Sequence, residues 1–233
     1  MGNKLGKVAQ GLRLGDEVPD FTAESTAGKL RWHEYIDGSW AVLFSHPADY
    51  TPVCTTELGS VAALIPEFSR RGVKVAALSC NGVESHRGWV KDIESTPFAK
   101  GAAVSYPIIA DQDRALAVRW GMVDPDERSD AGLPMTCRAV FVIGPDKRLK
   151  LSILYPATTG RNFSEVLRAI DSLQLTAKHS VATPADWQSG AQCMVVPTLG
   201  DEEARAKLGG FEVMEVPSGK RYIRMTPDPS AGS

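Results

Sequence analysis

Residues 40–57 read Trp40-Ala-Val-Leu-Phe-Ser45, then His46-Pro-Ala-Asp-Tyr-Thr51, then Pro52-Val-Cys54-Thr-Thr-Glu57. The first six residues form an apolar run of the length of a buried strand. Downstream, Leu58, Val61, Ala62, Ile65 and Phe68 are spaced for one face of a helix reaching residue 71. Thr51 suits the N-cap, and Pro52 suits the first helical position. That register puts Cys54 at the third helical position, just past the end of a strand. Its sulfur then lies near unpaired backbone N–H groups and the positive end of the helix dipole. Both favour the thiolate, which is the reactive form. Thr51 has a second option, to turn its hydroxyl toward the sulfur. His46 stands at the strand end, within reach of the cysteine. Glu57 follows one turn later, where it can orient a cation. Taken alone, a cysteine near a helix start is as readily a small buried apolar residue.

Outward from this stretch, strands and helices alternate. Residues 73–79 form a mostly apolar run, expected as a central strand covered on both faces. Residues 85–95 read as a helix, 106–110 as a strand, and 114–120 as a short helix ended by Gly121. Residues 138–143 and 149–154 flank the turn Gly144-Pro-Asp-Lys-Arg148, which predicts an antiparallel hairpin. Residues 162–173 form a helix with Phe163, Val166, Leu167, Ile170 and Leu173 on one face. Residues 15–32 can supply an extra hairpin. The order β-α-β-α-β-α-β-β-α implies an α/β sandwich with a mixed central sheet flanked by helices. It resembles a thioredoxin-like fold. We assign residues 13–176 to this domain and 177–233 to a small C-terminal α+β appendage. The appendage is turn-rich, with short strands at 194–196 and 222–224 around a helix at 201–208. It is small for an independent core and is expected to pack on the main domain or on a partner subunit.

Composition narrows the function. The chain has 233 residues, of which 43% are hydrophobic and 23% charged, as in ordinary globular proteins. A formal net charge of -2 gives no electrostatic case for nucleic acid or an anionic membrane. No apolar run approaches the roughly 20 residues of a membrane helix. Residues 1–7 lack the apolar core of a secretory signal, and Gly6 stands where a myristoylation motif wants Ser or Thr. Cys54, Cys80, Cys137 and Cys193 are widely spaced, as are the four histidines. No zinc-ligand spacing emerges, and reduced thiols in a cytoplasmic setting are the expectation.

The motif Pro47-x-x-x-Thr51-x-x-Cys54 resembles the active-site signature of the peroxiredoxins, the AhpC/TSA thiol peroxidases. The longer string 45–58 is similar to the one-cysteine, peroxiredoxin-6-type branch. Further matching segments are 77–79, 144–147, 149–163, 172–175, 181–184 and 217–220. The resemblance implies a peroxidase for hydrogen peroxide and organic or lipid hydroperoxides that needs neither metal nor haem. Cys54 matches the peroxidatic cysteine, which becomes sulfenic acid as water or an alcohol leaves. Thr51 matches the threonine that hydrogen-bonds peroxide and thiolate, and Pro47 the proline that shields the site from water. Arg138 matches the arginine that stabilises the thiolate and polarises the peroxide. A guanidinium, always charged and forked, suits that task. His46 matches a histidine beside the active cysteine.

The Val-Cys-Pro segment that carries a resolving cysteine in typical two-cysteine relatives is missing. Cys80, Cys137 and Cys193 are therefore read as non-resolving. Strand alternation turns Cys137 away from Arg138. The branch then implies an external thiol reductant, glutathione delivered by a glutathione transferase, and a homodimer. It also suggests a second activity, a phospholipase A2-type hydrolase using Ser39, His33 and Asp146. There the chain departs from the pattern, because Asp37 and Ala41 occupy both glycine positions of a Gly-x-Ser-x-Gly elbow. A holdase chaperone is a third reading, with no sequence feature of its own.

Overall fold

The structure is a computed structural model that describes residues 11–231. The secretory and lipidation readings of residues 1–7 lie outside the described residues. The chain divides into two compact units, one ending at Phe163 and one starting at Ser164.

The first unit opens with a hairpin, β1 (Thr22–Ser25) and β2 (Gly28–Arg31), followed by one helical turn, α1 (Trp32–Tyr35). Strand β3 (Trp40–Ser45) then leads through a six-residue loop into α2 (Pro52–Arg70). Next come β4 (Val73–Ser79), α3 (Val83–Ser95), β5 (Ile108–Ala110) and α4 (Ala115–Trp120). A hairpin of β6 (Val123–Arg128) and β7 (Pro134–Thr136) precedes β8 (Arg138–Ile143) and β9 (Leu149–Tyr155). Seven of these strands form one sheet in the order β2-β1-β5-β4-β3-β8-β9. Strands β3, β4 and β5 run parallel, while β8 and β9 run antiparallel to their neighbours. The mixed thioredoxin-like sheet expected from the sequence is thus present.

Two features were not legible. The segment 106–110 begins its strand only at Ile108, since Pro107 has no N–H to give a neighbour. Tyr106 instead turns inward and donates its hydroxyl to the Leu58 carbonyl at 2.8 Å. The β6–β7 hairpin is not legible in the sequence because Val-Asp-Pro-Asp-Glu-Arg has no apolar alternation. Among the described residues its two strands pair only with each other, with an irregular register between Asp124 and Arg128.

One face of the sheet is filled by Trp32, Ile36, Leu43, Leu78, Trp120 and Phe141, with Cys137 among them. Strand β4 is buried along almost its whole length, as its apolar run predicts. No helix among the described residues is long and apolar enough to cross a membrane.

The second unit contains most of α5 (Phe163–Lys178) and a four-stranded antiparallel sheet. Its strands are β10 (Val181–Ala182), β11 (Cys193–Val195), β12 (Glu212–Val213) and β13 (Arg224–Thr226), ordered β10-β11-β13-β12. Helix α6 (Asp201–Leu208) is tied to this sheet by an Arg224–Asp201 ion pair of 2.9 Å. Leu175, Val181, Trp187 and Cys193 form a small core of its own.

Candidate active site

The loop after β3 lies at the carboxyl end of a central strand, where open α/β sheets place their ligands. Thr51 holds the N-cap position of α2 with extended backbone, and Pro52 follows at the first helical position. The register matches the sequence reading, but the hydroxyl does not. Thr51 Oγ1 donates to the Ala48 carbonyl at 2.9 Å and neither caps the helix nor bonds the sulfur. Its proton is therefore committed, while its lone pairs stay free to accept. Cys54 is fully buried in the first turn, and Pro47 is buried beside the loop start.

Arg138 reaches this turn because β8 runs antiparallel to β3. Phe44 pairs with Val140, so the first residues of β8 stand beside the last of β3. Ser45 locks the junction: its hydroxyl donates to the Cys137 carbonyl at 2.7 Å and accepts from the Ala139 N–H at 3.1 Å. Arg138 Nη1 then donates toward Cys54 Sγ at 3.2 Å and to Glu57 Oε2 at 2.9 Å. Its Nε and Nη2 both donate to the Ala157 carbonyl, at 2.9 and 2.6 Å. The guanidinium is thus held from behind while one edge faces the sulfur.

A second arginine, not singled out in the sequence, completes the cluster. Arg161 Nη2 lies 2.7 Å from Glu57 Oε2, and its Nε lies 3.0 Å from Oε1. Its Nη1 donates to the Ser45 and Ala139 carbonyls at 2.7 and 2.8 Å. The guanidinium packs over the rings of Phe44 and Phe163. Burial would raise the Glu57 carboxyl, but the charge and hydrogen bonds of Arg161, then the charge of Arg138, hold it below its ordinary range. One carboxylate against two guanidiniums leaves one buried positive charge unmatched. The Cys54 sulfur lies at the Arg138 edge of this cluster. Glu57 was the available signal: a carboxylate one turn past the cysteine, on the buried face, requires cations.

His46 is buried, but it shares no hydrogen bond with Cys54. Its Nε2 meets Asp49 Oδ1 at 2.9 Å, a tie that the sequence did not suggest. The three remaining cysteines are free thiols. Burial, and then the charge of Asp111, push the Cys80 thiol up to about 11. Burial also raises Cys137 and Cys193. The hydrolase reading finds no assembled triad. His33 Nε2 lies 2.8 Å from the Val18 carbonyl, Ser39 donates to the Asp37 carbonyl, and Asp146 pairs with Lys150. No hydrogen bond joins those three side chains.

The profile of the AhpC/TSA family matches residues 14–152. That of the C-terminal domain of 1-Cys peroxiredoxin matches residues 172–210. The chain belongs to the AhpC/TSA family, the peroxiredoxins. It is 58% identical to peroxiredoxin-6 of Gallus gallus over 224 residues, covering 94% of this chain and 99% of the relative. The human peroxiredoxin-6 is 54% identical over the same length and with the same coverage. The crystal structure of a C45S mutant of peroxiredoxin 6 from Arenicola marina superposes with a TM-score of 0.91 at 59% identity, covering 95% of this chain and all of that one. A yeast mitochondrial 1-Cys peroxiredoxin follows with a TM-score of 0.83 at 46% identity, covering 93% and 99%. The protein is accordingly a thiol-dependent peroxidase, an oxidoreductase that acts on peroxides and draws on a thiol reductant.

Proposed function

We propose that Cys54 is the single peroxidatic cysteine. Its thiolate attacks the terminal oxygen of a hydroperoxide, and the O–O bond breaks. Cys54 keeps that oxygen as sulfenic acid, and the alkoxide or hydroxide leaves and takes up a proton. Arg138, donating from a fixed position, stabilises the charge that moves from sulfur to the leaving oxygen. Thr51 accepts a hydrogen bond from the peroxide O–H, Pro47 shields the sulfur from water, and His46 supports the loop beside it. The 3.2 Å approach of Arg138 Nη1 to Cys54 Sγ is the observation that carries this reading.

Two external thiols reduce the sulfenic acid, yielding water and a disulfide. Glutathione, delivered by a glutathione transferase, is the reductant we favour. The similar yeast mitochondrial 1-Cys peroxiredoxin is resolved via glutathione/thioredoxin systems. Substrates are hydrogen peroxide and organic or lipid hydroperoxides. Residues 13–176 act as the peroxidase domain. The protein works as a homodimer, with residues 177–233 contributing to the contact. The edge position of β9, paired only with β8 among the described residues, supports that assembly. Four unpaired cysteines support a reducing, cytoplasmic setting.

Peroxide consumption followed by mass spectrometry tests the reading. One sulfenic acid at Cys54 and no internal disulfide is the expected product. Peroxidase activity that survived Cys54→Ser would sink it.

A further inference from the structure

The loop between β3 and α2 contains one carboxylate, Asp49, set between Pro47 and Thr51 and almost completely buried. Its Oδ1 accepts from His46 Nε2 at 2.9 Å and from Ser79 Oγ at 3.4 Å. Its Oδ2 accepts from Ser85 Oγ at 2.7 Å and from His86 Nδ1 at 2.7 Å. Its backbone N–H donates to Asn81 Oδ1 at 3.1 Å. A single side chain thus ties the end of β3, the end of β4 and the first turn of α3 to the loop carrying Pro47 and Thr51.

The carboxylate is ionised. Burial alone would raise its pKa, but the hydrogen bonds from His46 and His86 hold it well below the usual carboxylate range. An ionised carboxylate can only accept, so each imidazole nitrogen facing it carries the proton. Asp49 therefore sets His46 as its Nε2–H form and His86 as its Nδ1–H form. The opposite nitrogens, His46 Nδ1 and His86 Nε2, are buried with no hydrogen-bond partner among the described residues. One nitrogen from each of His46 and His86 and a carboxylate oxygen of Asp49 lie within 4.8 Å of one another, and hydrogen bonds through Asp49 link the two rings.

The next residue, Tyr50, is held at φ 54, a left-handed conformation unusual for an aromatic residue. Its hydroxyl lies over Gly88 of α3, where a Cβ would stand 2.5 Å away. Such backbone strain persists where surrounding contacts over-determine it. Here the carboxylate and the Gly88 contact fasten the loop to α3 from both sides of the Asp49–Tyr50 peptide.

We propose that Asp49 is a positioning residue of the peroxide site, fixing through the 46–51 loop where Thr51 and Pro47 stand relative to the Cys54 sulfur. The inference rests on the roles proposed above for those three residues. An amide is a poor substitute, because Asn offers one accepting oxygen where the carboxylate offers two, and its N–H groups would face Ser85 and His86, which donate here.

The test is Asp49→Asn, comparing two reactions of the same sulfur. We expect the second-order rate constant with hydrogen peroxide to fall by about tenfold or more, since small misplacements are costly to an oriented reaction. Alkylation of Cys54 by iodoacetamide, which needs the thiolate but no peroxide geometry, should change by less than about threefold. Side-chain nitrogen NMR should show the Nδ1–H form of His86 in the parent and its loss in the variant. An unchanged peroxide rate in the folded variant overturns the proposal. So does an equal fall in both reactions, which marks general disruption. If Asp49→Asn does not fold, Ser85→Ala decides, by a smaller but peroxide-selective loss or by none. Cys54→Ser run alongside keeps the two readings separate: residual peroxidase there removes the site assignment itself, whatever Asp49→Asn does.

Discussion

Glu57 and Arg138 form a buried ion pair of 2.9 Å, and the nitrogen that makes it also faces the Cys54 sulfur. The carboxylate thus helps orient the guanidinium toward the sulfur. Arg161 shares the same carboxylate oxygen from another side. The sulfur, the two arginines and the glutamate form one buried, hydrogen-bonded cluster, and changes in any member should register in the others.

Arg138→Lys keeps the charge but loses the fork. The ammonium cannot hold the Ala157 carbonyl, Glu57 and the sulfur at once. The rate constant with hydrogen peroxide should fall by about 10²-fold, the scale of losing one preorganised donor. Stopped-flow measurement of Cys54 oxidation checks this.

Glu57→Gln leaves two buried guanidiniums without their counter-charge. The variant should lose about 3–5 kcal/mol of stability, the cost of breaking a buried pair from one side. Urea unfolding monitored by tryptophan fluorescence measures it. A loss near zero would mean that Arg161 and Arg138 are held by their carbonyl partners alone.

Acid should destabilise the protein in two stages. Asp49, Glu57 and His46 all bind their protons more weakly when folded than when unfolded. The unfolded chain therefore binds more protons, and stability rises with pH across each window. For His46, burial is the main cause, and loss begins as pH drops below about 6.5. For the two carboxylates the stabilisation is complete above about pH 4.3 and is lost as pH falls through their lowered folded values. Unfolding midpoints in urea, taken from neutral to acid pH, should show a shallow decline followed by a steep one.

The spare cysteines should be silent. With Cys80 pushed up to about 11, and Cys137 and Cys193 also raised, all three stay thiols near neutral pH. A variant with serine at all three positions should keep the parent peroxidase rate. A Cys54 disulfide to any of them, found by mass spectrometry after peroxide treatment, would contradict this.

Ser39→Ala should have no effect on fatty-acid release from phosphatidylcholine vesicles. The Ser39 hydroxyl donates to the Asp37 carbonyl, and His33 Nε2 is engaged by the Val18 carbonyl instead of by Ser39. A Ser39-dependent release would require His33 to move.

Legibility followed range along the chain. The helix from Pro52, the strand 73–79 and the hairpin around Gly144 were readable because periodicity and turn residues act over a few positions. The 123–136 hairpin was not, since its charged residues show no buried face. Thr51 shows the limit within a single turn: its position in the helix register was readable, but the Ala48 carbonyl won its hydroxyl from the helix N–H groups.

Local sequence by itself determined that a cysteine would stand in the first turn of a helix after a buried strand, with threonine and proline fixing the register. It also placed Glu57 one turn after the cysteine, where it can orient a cation. Only the tertiary structure decided which charges meet there. Arg138 arrives from 84 residues away because β8 pairs antiparallel with β3, and Arg161 arrives from 104 residues away, beyond β9. Asp49 gathers His46, Ser85 and His86 because α3 starts beside the loop. Backbone periodicity is a local property and can be read along the chain. Charge balance in a buried site depends on which strands pair, and that is settled by the packing of the whole sheet.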